Sequence, residues 1–193
     1  QHSRGKNSGF RYPIIMIVKE TGIEGLLVLE PRVFKDPRGY FFESYNKEEL
    51  IKQGIDYSFV QDNQSRSSKG VIRGLHYQKD PHAQAKLIRV MEGAIFDVAL
   101  DIRPGSPTYG KWFGIELSAE NFLQLMIPAG FAHGISVLSD RASVFYKCDQ
   151  YYHPESESGI RFDDPDLGIN WKIDTDNAIV SEKDRLLPLF KHL

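Results

Sequence analysis

The segment Gly70–Gln78 places a cationic and a titratable side chain on one short, extended stretch of the chain. Side chains alternate between the two faces of a strand, so Arg73 and His76 point to opposite faces unless an extra residue shifts the register. Gly74 lies between them and favours such a bulge. In one cavity, Arg73 could clamp an anionic group while His76 exchanges protons near neutral pH. The alternative is an ordinary strand with a partly buried histidine, which is the commoner case for one such segment in isolation.

A second histidine, His133, follows a sharp turn in the segment Ile127-Pro-Ala-Gly-Phe-Ala-His133-Gly. The pattern Pro-x-Gly-x-x-His resembles the second motif of the cupin superfamily of jelly-roll proteins. Metal-binding cupins supply His-x-His and a glutamate from their first motif, whereas the matching place here is His76-Tyr77-Gln78. Two histidines without the remaining ligands would leave an ion bound largely to water, so no catalytic metal is expected.

The other candidate side chains fit an acid–base site without a metal. His76 could remove a proton if a buried carboxylate bonded its second ring nitrogen and supported the charged form. Three aspartates are candidates by type for that role: Asp97, Asp164 and Asp184. Tyr146 could return a proton from the opposite side of a substrate, and Lys86, if aimed inward, could stabilise an enolate oxygen. The alternatives are a packed strand tyrosine and an ordinary edge lysine.

The elements that must position these residues are mostly short strands. Aromatic residues make up 12% of the 193-residue chain, and glycines and prolines are scattered through its middle, which favours strands over a helical bundle. The residue pattern predicts ten strands, at Ile23–Pro31, Tyr40–Tyr45, Phe59–Ser65, Val71–Tyr77, Ala85–Val90, Ala94–Asp101, Trp112–Leu117, Gln124–Ile127, Ala132–Val137 and Ser143–Tyr151. A helix is predicted at Lys47–Gln53, between the N-cap Asn46 and the stop Gly54, and a second short one at Ser181–Arg185.

This number and spacing of strands predict an all-β fold, a sandwich or jelly roll with a few short helices. Together with the resemblance of the His133 segment to the second cupin motif, this implies a cupin-like jelly-roll β-sandwich or barrel. A chain of this length suits one domain with one sizeable core, which we assign to residues 16–193. Residues 1–15 show little periodicity and are expected to be an expression leader or a disordered arm, with Met16 as the natural start.

Charge and cysteine content exclude several kinds of partner and site. The formal net charge of −2 and the sequence pI of about 6.3 leave no whole-chain field to hold nucleic acid or an anionic membrane, so any phosphate must be bound locally. Cys148 is the only cysteine, which excludes an intramolecular disulfide and a cysteine-based metal site and fits a reducing cytoplasm. No apolar run reaches the roughly 20 residues that span a bilayer. The protein is therefore predicted to be cytoplasmic, with no nucleic-acid or membrane partner.

In their order along the chain, these segments resemble the dTDP-4-dehydrorhamnose 3,5-epimerase family over Met16–Phe190. The early matching blocks are Asp36-Pro-Arg-Gly-Tyr-Phe-Phe-Glu43, Phe59-Val-Gln-Asp-Asn-Gln-Ser65, Arg73-Gly-Leu-His-Tyr-Gln78 and Gln84-Ala-Lys86. The later blocks are Ile127-Pro-Ala-Gly-Phe-Ala-His-Gly134, Tyr146-Lys147, Tyr151-Tyr152, Gly168-Ile-Asn-Trp171 and Ser181-Glu-Lys-Asp184. So many blocks in one order are not expected by chance.

The resemblance implies a substrate and a reaction. The substrate is a thymidine diphosphate 4-keto-6-deoxyglucose, and the product is inverted at C3 and C5, the two carbons that flank the C4 ketone. Each proton can be removed to give an enolate and replaced on the other face, so no cofactor is implied. By the same resemblance, His76 is the base with Asp184 as its partner, Tyr146 is the acid, and Lys86 is the cation that stabilises the enolate.

The resemblance also assigns substrate contacts to a wider set of residues, namely Arg38, Phe41, Glu43, Gln61, Asp62, Asn63, Arg73, Lys86, His133, Tyr152, Glu157 and Lys183. Tyr152 is expected to stack on thymine, and arginines suit a diphosphate because their planar fork offers paired donors. Without the resemblance, Arg38 would be a surface-turn residue and Glu157 part of a solvated loop. The family implies a homodimer with strand exchange, in which Arg38 and Glu43 complete the neighbour's site.

Two alternatives to a double epimerase stay open from the sequence. A related enzyme on the same scaffold could epimerise only C3 or only C5, or move the ketone, because small shifts of the acid decide which face is reprotonated. A non-catalytic jelly-roll module could bind a nucleotide or glycan without turning it over. The joint presence of His76, Tyr146, Lys86 and Asp184 favours catalysis, since a binding module needs no base and no acid.

Overall fold

The computed structural model describes residues 16–193, and the leader or arm predicted for residues 1–15 lies outside them. Strands dominate the described residues, which confirms the predicted all-β jelly roll with a few short helices. The strands are β1 Ile17–Glu20, β2 Leu27–Glu30, β3 Phe34–Asp36, β4 Gly39–Phe41, β5 Gln61–Ser68, β6 Ile72–Gln78, β7 Lys86–Glu92, β8 Ala94–Asp101, β9 Trp112–Ser118, β10 Gln124–Ile127, β11 Phe131–Val137, β12 Arg141–Cys148 and β13 Glu157–Gly159. The α-helices are α1 Lys47–Lys52 and α2 Glu182–Arg185, and short 3₁₀ turns lie at Pro154–Ser156 and Phe190–His192.

Two large antiparallel sheets form the body of the fold. One contains six strands in the order β1-β2-β10-β7-β12-β5, and the other contains five in the order β13-β6-β11-β8-β9. A separate two-stranded arm pairs β3 with β4. The neighbours in each sheet are far apart in sequence, so residues from distant segments meet on facing walls.

Three apolar clusters hold these layers together. The first lies between the two large sheets and joins residues of both, such as Ile88 and Ile135. The second covers the outer face of the five-stranded sheet, where the C-terminal tail packs Trp171 with Leu100. The third covers the outer face of the six-stranded sheet and includes Leu50 of α1. The first cluster fills part of the space between the sheets, and an internal cavity opens beside it.

The register of β6 against β11 confirms the predicted bulge. His76 pairs with His133, but Arg73 pairs with Ile135, so three steps along β6 match two steps along β11. Gly74 has φ +115°, and a Cβ at this position would lie 2.6 Å from the carbonyl oxygen of His133. Only glycine fits this backbone approach, and the extra residue brings Arg73 and His76 to the same cavity.

Some predicted bounds are wrong because turns interrupt the apolar pattern. The strand predicted at Ile23–Pro31 begins only at Leu27, after a turn in which Gly25 has φ +80°. Of the strand predicted at Tyr40–Tyr45, only the first residues are in a strand, β4, which pairs with β3. The predicted N-cap of α1 is confirmed, because the Asn46 side chain accepts two backbone N–H groups of the first turn.

The C-terminal tail returns to the sheet edge beside β6. Ile179 donates its backbone N–H to Gly70 and accepts that of Ile72, which fixes the tail against the start of the strand. Ser181 then caps α2, as its hydroxyl accepts the N–H of Asp184 at 3.1 Å. This short helix places the carboxylate of Asp184 beside the backbone of β6, at Gly74. No helix within residues 16–193 is long and apolar enough to cross a membrane.

Candidate active site

A cavity of about 200 Å³ opens between the two large sheets. Its walls come from β5, β7 and β12 on one side and from β6 and β11 on the other. Three of the predicted catalytic residues line it: His76, Lys86 and Tyr146. Lys86 was also predicted to contact the substrate, and six further predicted contacts line the cavity as well: Gln61, Asn63, Arg73, His133, Tyr152 and Glu157.

His76 forms a close hydrogen bond with a buried carboxylate. Its Nε2 lies 2.7 Å from Oδ1 of Asp184, and Oδ2 of Asp184 accepts the backbone N–H of Gly74 at 3.0 Å. The Asp184 side chain is 6% exposed and the His76 side chain 34%. Among the three aspartates considered from the sequence, Asp184 is therefore the partner of His76.

The surroundings of Asp184 hold it in its ionised form. Burial pushes the pKa of this carboxyl upward, but hydrogen bonds from His76, Gly74 and Ser181 outweigh burial and keep the pKa below its ordinary value. An ionised Asp184 requires the hydrogen on Nε2 of His76, so the neutral ring carries its lone pair on Nδ1. The pair thus leaves Nδ1 of His76 with a lone pair that can accept a hydrogen bond or a proton.

Tyr146 and Lys86 lie on the opposite wall from His76. Tyr146 belongs to β12 and Lys86 to β7, and Nζ of Lys86 lies 6.0 Å from the centroid of the Tyr146 ring. Burial raises the pKa of Tyr146, so its phenol carries a proton at neutral pH. The cavity therefore has the His76–Asp184 pair on one sheet and a protonated phenol on the facing sheet.

Lys86→Met is expected to stabilise the fold. Burial lowers the pKa of Lys86 from its ordinary value of 10.5, so between the folded and the ordinary pKa the unfolded chain binds more protons. The resulting destabilisation is fully present below the folded pKa and disappears as pH rises through the unfolded pKa. Methionine carries no charge, so we expect the neutral-pH melting temperature to rise by about 2–4 °C, or about 1 kcal/mol. Thermal unfolding as a function of pH checks this, and a lower melting temperature or a pH-independent difference contradicts it.

Arg73 is oriented by a hydroxyl of β5, a strand of the facing sheet. Its Nε donates to Oγ of Ser67 at 2.9 Å. This bond uses the inner nitrogen of the guanidinium and leaves the two terminal nitrogens to bind an anionic group. Arg73 thus meets the geometric requirement for a phosphate ligand beside His76.

His133 has its own carboxylate partner. Its Nε2 lies 2.9 Å from Oδ1 of Asp97, a residue with 0% exposure. Oδ2 of Asp97 has no hydrogen-bond partner among the described residues. Asp164, the third aspartate considered from the sequence, instead accepts the backbone N–H groups of Phe190 and Asp166. Two histidines on the adjacent strands β6 and β11 therefore line the cavity, and each is bonded to an aspartate outside its own strand.

Three side chains linked by hydrogen bonds lie at the rim of the cavity. Oε2 of Glu157 accepts the Tyr152 hydroxyl at 2.9 Å and the Lys183 ammonium at 2.7 Å. The Lys183 bond is the largest cause of the lowered pKa of Glu157. Lys183 thus reaches the rim through Glu157, while the Tyr152 ring stays 51% exposed.

Three predicted substrate contacts lie on or near the arm, away from this cavity. Arg38 is exposed and pairs with Asp36, and Phe41 is 68% exposed. Glu43 accepts the side-chain N–H of Asn46 at 2.8 Å, beside the start of α1. These residues do not reach the cavity of their own chain.

Asp62 also points away from the cavity. It lies between Gln61 and Asn63 on β5, and the alternation of the strand turns its side chain to the other face. There it pairs with Lys147 at 3.0 Å. Asp62, which was predicted to contact the substrate, therefore does not line the cavity.

The cavity also contains residues that the sequence analysis did not single out: Ser65, Tyr77, Gln78, Gln84, Ile135 and Val144. Strand alternation could have indicated two of them. Ser65 lies two residues beyond Asn63, and Gln78 lies two residues beyond His76. No local signal points to the apolar pair Ile135 and Val144, because interior strand residues of this type are common in any core.

Comparison with known proteins identifies the family. The family model described as dTDP-4-dehydrorhamnose 3,5-epimerase matches residues 20–192. A protein of that name from Escherichia coli (strain K12) is 54% identical over 175 residues, covering 89% of this chain and 93% of that protein. A dTDP-6-deoxy-D-glucose-3,5-epimerase from Legionella pneumophila Philadelphia 1, solved in complex with dTDP-4-keto-L-rhamnose, has a TM-score of 0.88 and 48% identity, covering 92% of this chain and 94% of that chain.

The name of one further relative specifies epimerisation at one position only. A dTDP-4-dehydrorhamnose 3-epimerase from Streptomyces niveus is 36% identical over 173 residues, covering 89% of this chain and 84% of that protein. The family model spans nearly all of the described residues, and the relatives named for both carbons have the higher identities. This chain belongs to the dTDP-4-dehydrorhamnose 3,5-epimerase family.

Proposed function

We propose that this chain converts dTDP-4-dehydro-6-deoxy-D-glucose to dTDP-4-dehydro-L-rhamnose by inverting C3 and C5, without a cofactor, in dTDP-L-rhamnose biosynthesis. One observation carries the proposal: the His76–Asp184 pair and the protonated Tyr146 lie on facing sheets with the cavity between them. With a base on one face of a carbon and an acid on the other, a proton removed from the first face can be replaced from the second, which inverts the carbon. Family membership supports the choice of substrate.

The chemistry follows from the position of the two carbons. C3 and C5 both flank the C4 ketone, so loss of either proton gives an enolate with its negative charge largely on the C4 oxygen. His76 takes the proton at Nδ1, and the ionised Asp184 stabilises the imidazolium that forms. Tyr146 donates a proton to the opposite face, and exchange with water restores the charges of His76 and Tyr146 before the second carbon reacts.

Lys86 supplies the cation for the enolate. Its position beside Tyr146 places the ammonium on the wall opposite His76. Burial lowers its pKa, but an enolate oxygen that develops next to it favours the charged form again. The interaction is therefore stronger with the enolate than with the neutral ketone, which is the condition for lowering the barrier.

The remaining cavity residues fit a nucleoside diphosphate. Arg73 presents free guanidinium nitrogens next to His76, as binding of a phosphate close to the reacting sugar requires. Tyr152 offers an exposed ring at the rim for stacking on thymine, and Glu157 holds its hydroxyl. Gln61, Asn63, His133 and Lys183 complete the proposed set of contacts within this chain.

Asp184→Asn is expected to lower kcat by about 10³-fold or more without unfolding the protein. The asparagine oxygen can still accept the Gly74 N–H, but its amide would donate to Nε2 of His76. The ring would then carry its hydrogen on Nδ1 and present no lone pair to the substrate. Steady-state turnover and thermal unfolding check this prediction. Near-native turnover would show that another group orients His76.

We include a homodimer with strand exchange in the proposal. The edge strand β1 pairs only with β2 in the described chain, so its outer N–H and C=O groups are free to extend a sheet. Arg38, Phe41 and Glu43 lie outside the cavity of their own chain, which is consistent with a role in the neighbour's site. A cytoplasmic location without nucleic-acid or membrane partners completes the proposal.

The second candidate is an epimerase for one carbon only. The Streptomyces niveus relative favours it, since that protein shares the family but is named for C3. Small shifts of the acid relative to the ring decide which carbons are reprotonated on the far face. Both candidate functions use the His76–Asp184 pair and the same cavity, so only the configuration of the product distinguishes the two functions.

The test is product analysis. The protein is incubated with dTDP-4-dehydro-6-deoxy-D-glucose, the C4 ketone is trapped by chemical reduction, and the sugar configuration at C3 and C5 is determined by NMR. We expect products inverted at both carbons. Products inverted only at C3 or only at C5 would establish the second candidate, and unchanged sugar with bound nucleotide would leave a binding module.

A further inference from the structure

We propose that Gln78 is a positioning residue that holds Tyr152 in place for stacking on the nucleobase. The inference deepens the proposed function and rests on it, because it assumes a thymidine nucleotide at the rim of the cavity. Gln78 follows His76 by two residues on β6 and lines the same cavity. Its side chain is nevertheless occupied by the protein itself.

All the polar atoms of the Gln78 amide are used on the segment that carries Tyr152 and on a neighbouring loop. Oε1 accepts the backbone N–H of His153 at 2.7 Å. Nε2 donates to the carbonyl oxygens of Tyr151 at 3.2 Å and of His82 at 2.7 Å. Gln78 is only 6% exposed, so these bonds take the place of the hydrogen bonds that its amide would form with water. With one acceptor and two donors engaged, the residue has no free donor for a substrate.

A second glutamine holds the same segment from the facing sheet. Oε1 of Gln61 on β5 accepts the backbone N–H of Tyr152 at 2.8 Å, and its Nε2 donates to Asn63 at 3.2 Å. Three consecutive residues, at positions 151–153, are thus each bonded to a glutamine side chain. We call Gln61 and Gln78 the glutamine clamp.

The clamp matters because the backbone at Tyr152 belongs to no helix or strand that would fix it. The segment between β12 and the 3₁₀ turn at Pro154–Ser156 has no regular secondary structure, and the Tyr152 ring is 51% exposed. The ring is tethered at its far end by the bond from its hydroxyl to Glu157. A stacking platform that is fixed before binding loses less conformational entropy than one that must be ordered by the ligand. The glutamine clamp provides that fixation at the backbone.

The test compares Gln78→Leu with a matched control, Gln124→Leu. Leucine has a similar size and removes all three bonds. Gln124 is 1% exposed, donates to the carbonyl oxygen of Ser44 at 2.9 Å and does not line the cavity, so its replacement removes a buried amide outside the site. For each variant, competitive inhibition constants are measured with two probes, dTDP and inorganic pyrophosphate. Pyrophosphate occupies the phosphate subsite but has no base to stack.

We expect Gln78→Leu to weaken dTDP about tenfold, within the range of one base–aromatic stack, and to leave pyrophosphate within about twofold of the wild type. KM for the sugar nucleotide should rise in parallel with the inhibition constant of dTDP. The value of kcat should change by less than about threefold, because the His76–Asp184 pair is intact. Gln124→Leu should change none of these values. In a Tyr152→Ala background, Gln78→Leu should cause no further loss of dTDP affinity, because the two changes act on one interaction.

Equal weakening of dTDP and pyrophosphate would overturn the inference and leave Gln78 as a general structural residue. Independent effects of Gln78→Leu and Tyr152→Ala would overturn it too, as would an unchanged dTDP constant. Should Gln78→Leu fail to fold, Gln78→Glu takes its place with the same expectations, because it keeps the acceptor for His153 and loses both donors. If the wild type binds dTDP and inverts the sugar, and the Gln78 variants bind dTDP equally well, only the proposed role of the clamp is refuted. A wild type without inversion would refute the proposed function.

Discussion

His76→Asn is expected to abolish epimerisation at both carbons while the fold and dTDP binding persist. Asparagine can keep a hydrogen bond to Asp184, but its amide cannot take up a proton near neutral pH. A positioned general base contributes about 10²–10⁴-fold, and both proton removals depend on this one, so we expect kcat to fall by at least about 10³-fold. Turnover by NMR, dTDP affinity by calorimetry and thermal unfolding are measured together.

The matched control for this variant is His192→Asn. His192 is an exposed histidine in the last 3₁₀ turn, so its replacement should leave turnover, affinity and stability unchanged. Inversion by His76→Asn at a rate close to wild type would remove His76 from the role of base. Loss of folding in His76→Asn, but not in the control, would instead support the structural histidine considered at the start.

Tyr146→Phe is expected to separate proton exchange from inversion. Phenylalanine keeps the packing of the ring on β12 but has no hydroxyl to donate. His76 can still remove the C3 or C5 proton, exchange it with solvent and return it to the same face. In deuterated water we therefore expect label at these carbons with retained configuration, and inversion reduced by about 10²-fold or more.

NMR of the recovered sugar nucleotide measures both quantities in one sample. Tyr109→Phe serves as the control, because Tyr109 is 44% exposed and packs against Phe190 away from the cavity. Full inversion by Tyr146→Phe would mean that another acid serves the far face. Loss of exchange as well as inversion, with dTDP still bound, would mean that Tyr146 acts in proton removal.

The sequence was informative where chemistry and local backbone coincide. Gly74 between Arg73 and His76 predicted a bulge, and the register of β6 against β11 confirms it. The alternation of β5 correctly turns Gln61 and Asn63 inward, and the same rule excludes Asp62 from the cavity. In these cases, the geometry of one strand was enough.

Pairings between distant segments could not be derived in the same way. Asp97, Asp164 and Asp184 were equivalent candidates by residue type, and only the return of the tail against β6 selects Asp184. The resemblance to the family made the right choice where periodicity could not. The pairing of Asp97 with His133 was missed, since it depends on the register of β11 against β8.

The same limit explains the glutamine clamp. Gln78 and Gln61 lie 17 positions apart and on different sheets, and nothing in the local pattern around either residue indicates a shared target. Their common partner, the segment at 151–153, lies more than 70 positions beyond Gln78 and has no secondary structure of its own. Side-chain to backbone bonds over such distances become visible only in the folded chain.

Proton exchange at the sugar tests the central claim most directly. The protein is incubated with dTDP-4-dehydro-6-deoxy-D-glucose in deuterated water, without any reductase, and C3 and C5 are followed by NMR. The proposed mechanism predicts deuterium at both carbons, lost in His76→Asn and retained in His192→Asn. If neither carbon acquires deuterium while the nucleotide is bound, the result contradicts the proposed mechanism.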